Sequence, residues 1–92
     1  MINVKEAIVK AMEYFDLIYN DKEYSNLQLE EVELSEDSKY WLITLGYHVP
    51  LPAKSRAVAQ ALGSAIYNRE YKILKVRSDT GDVVSMKIRQ LT

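Results

Sequence analysis

Lys39-Tyr40-Trp41-Leu42-Ile43-Thr44-Leu45-Gly46-Tyr47 decides the fold. The run is aromatic, aliphatic or β-branched on both alternating parities, and successive side chains of a strand point to opposite faces of a sheet. Such a strand is covered on both faces and belongs in the middle of a sheet. Working back, the polar turn Ser35-Glu36-Asp37-Ser38 joins it to an earlier strand that starts near Leu27. There Leu27 and Leu29 lie on one parity and Val32 and Leu34 on the other, with Glu30-Glu31 between them. This phase slip predicts a β-bulge.

Further back, Val4, Ala7, Ile8, Ala11, Met12, Phe15, Ile18 and Tyr19 recur at spacings of three and four. That is the core-facing stripe of a helix over residues 4–19. Asn3 and Glu6 form a capping-box pattern at its start, and Asn20-Asp21-Lys22-Glu23 stops it by offering turn-forming side chains and nothing to bury. Toward the carboxyl terminus, strands near Tyr71–Ser78 and Val83–Gln90 are joined by Asp79-Thr80-Gly81-Asp82, whose glycine supplies a hairpin's positive φ. Residues 48–68 are a long connection. His48-Val49-Pro50-Leu51-Pro52 is extended because of its prolines. Ala57, Val58, Ala61, Leu62, Ala65 and Ile66 have helical spacing interrupted by Gly63-Ser64, which leaves a short helix and a mobile loop as alternatives.

One helix followed by four strands with mostly short links predicts an α+β fold: a long N-terminal helix packed on a four-stranded antiparallel sheet, an α-β-β-β-β meander. The 92 residues make a single domain over 1–92, with 48% apolar residues and few Gly or Pro, enough to form a core without staples. Zero cysteines exclude disulfides, thiolate metal sites and thiol chemistry. Met1-Ile2-Asn3-Val4-Lys5-Glu6 has neither the apolar run of a signal peptide nor that of a membrane span, so a cytoplasmic protein without membrane association is expected, unless a leader has been removed.

The closing stretch Tyr71-Lys72-Ile73-Leu74-Lys75-Val76-Arg77-Ser78-Asp79-Thr80-Gly81-Asp82-Val83-Val84, together with the helix-then-strands order, resembles PepSY-type and cystatin-like domains. These close with two strands around a Thr-Gly turn flanked by acids, and the likeness covers the helix and the last three strands. It implies a non-catalytic module that binds or restrains a protein partner.

Chemistry-bearing groups are sparse. His48 is the only histidine, which excludes multi-histidine metal sites, and its place beside Pro50 predicts a solvent-facing or locally hydrogen-bonded ring. No nucleophile elbow or phosphate-binding glycine loop is present, so no catalytic residue, metal or cofactor is expected, and the protein is not read as an enzyme. Glu30 and Glu31, as neighbours on a strand, are expected on opposite faces. Residues 1–46 hold four Lys and ten Asp or Glu, giving −6, and residues 47–92 hold eight Lys or Arg and three acids, giving +5, which together make the net −1. In the final hairpin, parity sends Lys75, Arg77, Lys87 and Arg89 to one side and Leu74, Val76, Val84, Met86 and Ile88 to the other. The four cations, with Tyr71, Tyr47 and Tyr67 around the long connection, are the candidate partner-binding residues. The expected function is a protein-binding module of inhibitor or immunity type, using the open sheet face or the 48–68 segment. A nucleic-acid-binding module using the basic hairpin, with tyrosines stacking on bases, is the alternative, as is a small structural homodimer. Monomer and homodimer both remain open.

Overall fold

Asn3 starts the first helix, α1 (Val4–Tyr19), where its Oδ1 accepts the Glu6 amide at 2.8 Å. An N-cap of this kind satisfies a backbone donor that the first turn leaves free. The computed structural model describes residues 1–90. After α1 come β1 (Ser25–Leu34), β2 (Tyr40–Pro50), α2 (Ala53–Ala61), β3 (Tyr67–Arg77) and β4 (Val83–Ile88). The strands pair antiparallel in the order β1-β2-β3-β4, an open meander with α1 on one face.

The predicted fold class is the one observed, and the register explains how the pieces meet. Trp41, Ile43, Leu45 and Tyr47 of β2 lie opposite Val76, Leu74, Lys72 and Glu70 of β3, all on the face toward α1. Ala7, Ala11 and Phe15 of α1 bury against Ile43, Leu45, Tyr47, Leu74 and Val76. The small alanines let the helix backbone approach the sheet, and Phe15 fills the wider end. Its ring centroid lies 4.4 Å from Tyr19, 4.7 Å from Tyr47 and 5.1 Å from Tyr24. The Trp41 indole N–H donates to the Ile2 carbonyl at 3.2 Å, tying the amino terminus to the central strand.

Tyr47, expected at a contact surface, is instead fully buried in this aromatic cluster. The strand continues past it to Pro50, so its parity is that of Ile43 and Leu45. Its hydroxyl donates to Glu70 Oε1 at 3.2 Å, and burial, reinforced by Tyr19 and Glu70, raises its pKa far above the ordinary 10.0. A folded-state pKa above the unfolded one stabilises fully below the unfolded value, and that contribution is lost as pH climbs from about 10 through the folded value. The melting temperature is therefore expected to fall above pH 10. Tyr47→Phe should cost about 1 kcal/mol at neutral pH and flatten that alkaline loss. An alkaline limb equally steep in wild type and variant would show that Tyr47 does not drive it.

The bulge expected between Leu29 and Val32 is present: Leu29 pairs with Leu45 and Glu31 with Thr44, leaving Glu30 as the extra residue. A second irregularity lies between Ser25 and Gln28, beside Asn26 at φ 56°. Of the alternatives for residues 48–68, the helix is the one formed, flanked by extensions of β2 and β3. Gly63, which looked like an interruption, ends α2: at φ 71° its amide donates to the Gln60 carbonyl and the Ser64 amide to the Ala59 carbonyl. This paired closure is the Schellman motif, which needs a left-handed residue at that point.

The strands outrun the helix. Eleven-residue β2 and β3 reach about 36 Å, against about 24 Å for sixteen-residue α1. The protein is accordingly elongated, 51 × 28 × 18 Å. Tyr19, in the last turn of α1, has Lys72 Nζ 6.0 Å from its ring, so the sheet end left beyond the helix is the one carrying His48–Pro50, Tyr67–Arg69 and α2.

Candidate protein-binding face

On the face away from α1 the register lines up rows of side chains across the strands. Glu31, Thr44, Ile73 and Lys87 form one row, and Glu33, Leu42, Lys75 and Ser85 the next. Gln28, Gly46 and Tyr71 form a third, which Arg89 joins through its amide bond to the Tyr71 carbonyl. Lys75, Arg77, Lys87 and Arg89 therefore share this face, with Arg77 opposite Tyr40. Their parity partners point toward α1, although it is Val83, placed opposite Val76 by a shift in the β3–β4 register, that packs on the core while Val84 stays exposed.

The face is not a uniform basic patch. Arg89, just past β4, reaches over β3 and β2 to β1, donating to Thr44 Oγ1 and to both carboxylate oxygens of Glu31 at 3.1 and 3.3 Å. It roofs Thr44, which is why a polar residue on this face is almost wholly buried. The central strand is thus shielded on its second face by long side chains rather than by a further layer of chain. Arg69 of β3 likewise crosses to β1, pairing with Glu30 and donating to Gln28 Oε1 at 3.2 Å and to the Asn26 carbonyl at 3.4 Å. Arg77 turns back on the hairpin loop and holds Asp79 with two bonds of 3.0 and 2.8 Å. That pairing raises the arginine pKa and lowers the carboxyl's.

Glu30 and Glu31 consequently share one face, against the expectation that neighbouring strand acids diverge. The bulge that was legible in the apolar phase slip also turns Glu30 to the side of Glu31. Glu30, Glu31 and Arg69 belong to this candidate face although the sequence did not point to them as site residues, and the bulge was the signal that could have found the two acids. The acidic half of the chain meets the basic half on this face through two ion pairs, Arg69–Glu30 and Arg89–Glu31, which neutralise two of the ten acids of the first half and two of the eight cations of the second.

Lys75 and Lys87 are left: among the described residues no carboxylate pairs with either. Lys75 Nζ sits 4.5 Å from the centroid of Tyr40. Half-buried Leu42, Ile73, Tyr40 and Tyr71 form the apolar part of the face around them, with the Arg69 guanidinium 5.8 Å from the Tyr71 ring. Tyr67 lies at the far end, exposed and stacked on His48 at 5.6 Å. No protein-family model, curated protein or solved structure matches the chain.

What this arrangement offers chemically is a half-buried apolar strip beside two cations without a carboxylate partner. Among the described residues no three His, Asp or Glu converge as cation ligands. A depression of about 450 Å³ lies where β4 ends and β3 runs on, between Tyr71, Lys72, Ile88 and Arg89. No helix among the described residues is long and apolar enough to cross a membrane.

Proposed function

We propose that the protein is a non-catalytic protein-binding module of inhibitor or immunity type, acting in the cytoplasm, that docks its partner on the open sheet face. The observation that carries this reading is the row structure of that face, where Tyr40, Leu42, Ile73 and Tyr71 lie beside the cross-strand ion pairs Arg69–Glu30 and Arg89–Glu31 already made within the chain. A partner covering Arg69 and Arg89 meets charges that are already neutralised and held, which reduces both the desolvation and the ordering cost of association. Unpaired Lys75 and Lys87 favour an acidic rim on the partner. Nucleic acid is the weaker candidate, because three of the five cations on the face are engaged by carboxylates of the same chain, and phosphate binding depends on free cations displacing counterions.

A photo-crosslinking residue at position 73 is expected to trap one defined partner from the native extract, and one at position 9, on the outer face of α1, is not. Lys75→Glu with Lys87→Glu should weaken affinity for the trapped partner by tenfold or more and leave the melting temperature almost unchanged, since neither lysine holds an ion pair. Undiminished affinity in the double variant removes the open face as the site. Oligonucleotide binding with steep salt dependence replaces the protein reading with the nucleic-acid one.

A further inference from the structure

The two edges of the sheet are built differently. β1 exposes an edge broken by two register irregularities, with a left-handed residue at Asn26 and with Glu31 and Glu33 on its strand. Bulges and charges are the devices that keep an edge from pairing. The opposite edge, β4, carries one register shift, which leaves Val84 as its extra residue, and one charge, Lys87, on the open face; from Ser85 to Ile88 its ladder with β3 is regular. The Arg89 amide donates to the Tyr71 carbonyl, and Lys87 and Ser85 lie opposite Ile73 and Lys75, so the odd-numbered residues turn their backbone groups toward β3. In an antiparallel ladder the intervening residues turn theirs the other way. Met86 and Ile88 therefore present N–H and C=O groups along the free edge.

The side chains of that edge have the same alternation. Val84, Met86 and Ile88 share the α1 side of the strand, yet Val84 is 49% and Ile88 75% exposed, and Leu17 of α1, close to Val83, is 68% exposed. This apolar strip is symmetric about Met86. A two-fold axis through Met86 sets it against its own copy, brings Val84 against Ile88 of the second copy, and places Lys87 opposite Ser85 rather than opposite another cation. In the same register the outward backbone groups of Met86 meet their equivalents. Backbone and side-chain requirements thus select one pairing.

We propose that a second copy of this chain docks on the β4 edge, antiparallel and in the Met86-centred register, joining two sheets into one of eight strands. The assembly is closed, because each copy has one β4, and the ends of the joined sheet are the bulged, acidic β1 edges. Both open faces lie on one side of the continuous sheet, so the pairing doubles the proposed docking platform without covering it. It does not depend on that platform having a partner.

Sedimentation velocity over micromolar to millimolar concentration is expected to show the 10.6 kDa protomer passing to twice that mass. Hydrogen exchange at the Met86 and Ile88 amides should slow over the same range, with the β1 amides unchanged. Val84→Lys with Ile88→Lys sets like charges opposite each other in the proposed register and should give a monomer at every concentration, and Val84→Lys with Ile88→Glu sets opposite charges there and should restore the dimer. A wild type that stays monomeric up to millimolar concentration overturns the proposal. So does a dimer that survives the double-lysine change, or protection that appears at β1 instead. Should a charged variant fail to fold, the wild-type mass and exchange profiles alone decide.

Discussion

Phe15→Ala is expected to cost about 3–5 kcal/mol, the largest loss from any single truncation on α1. The side chain has no solvent exposure and is held by three aromatic neighbours with centroids 4.4 to 5.1 Å away. Two of these, Tyr24 and Tyr47, are anchored by their hydroxyls, Tyr24 to Asp16 at 2.7 Å and Tyr47 to Glu70 at 3.2 Å. Neither ring can move far into the void without breaking a hydrogen bond, so the cavity collapses poorly and the cost stays in the upper part of the usual range. A domain of this size has a total stability near the low end of about 5–15 kcal/mol, so the variant should be largely unfolded at physiological temperature. Urea denaturation of Phe15→Ala beside Val9→Ala, a truncation on the exposed side of the same helix, separates burial from helix propensity. The Val9 change should move the midpoint little. If the two variants lose similar stability, the aromatic cluster is not the core that fixes α1 on the sheet.

Most of the fold was legible because its signals are local. The apolar stripe and the Asn3 cap locate α1, and the slip between Leu29 and Val32 locates the bulge. Misreadings came where a local signal had two meanings. Gly63 was read as a break in a helix and is its stop, since a left-handed C-terminal residue and an interrupting glycine look alike until the Ser64 amide is seen to close on Ala59. Tyr47 looks like a contact residue because it flanks the long connection, yet the extended path through Val49 and Pro50 belongs to the same strand and leaves Tyr47 in phase with Ile43 and Leu45. The apolar residues on the second parity of β2 did not signify another layer of chain.

The candidate site was legible only in part, for a different reason. Parity alone places Lys75, Arg77, Lys87 and Arg89 on one face, because alternation is a property of each strand. Which carboxylates neutralise them depends on strand order and register: Glu31 and Arg89 are separated by 58 positions and meet only because the order β1-β2-β3-β4 lets Arg89, just past β4, reach over β3 and β2 to β1. The sign of the charge in each half of the chain was visible, and the contact between the halves was not.

Gly46→Ala tests that contact directly. In a strand interior this substitution ordinarily stabilises by roughly 0.5–1 kcal/mol, because glycine loses more conformational freedom on folding. Here a Cβ would stand 2.8 Å from Arg69 Nη2 and 2.9 Å from Glu30 Cγ, because the ion pair lies flat on the bare backbone of the central strand. Expelling the pair also breaks the Arg69 bonds to Gln28 and to the Asn26 carbonyl. The variant is therefore expected to lose about 1 kcal/mol in the wild-type background and to gain stability in a Glu30→Ala background, where Arg69 is free to swing aside. A coupling of about 1–2 kcal/mol between the two positions is the quantity a double-mutant cycle should return. The same change of sign in both backgrounds would mean that the ion pair does not depend on an absent side chain. With the expected reversal, Gly46→Ala becomes a probe of function too: it lifts a charge pair off the sheet without removing any charged group, and should weaken capture of the partner more than its modest stability loss explains.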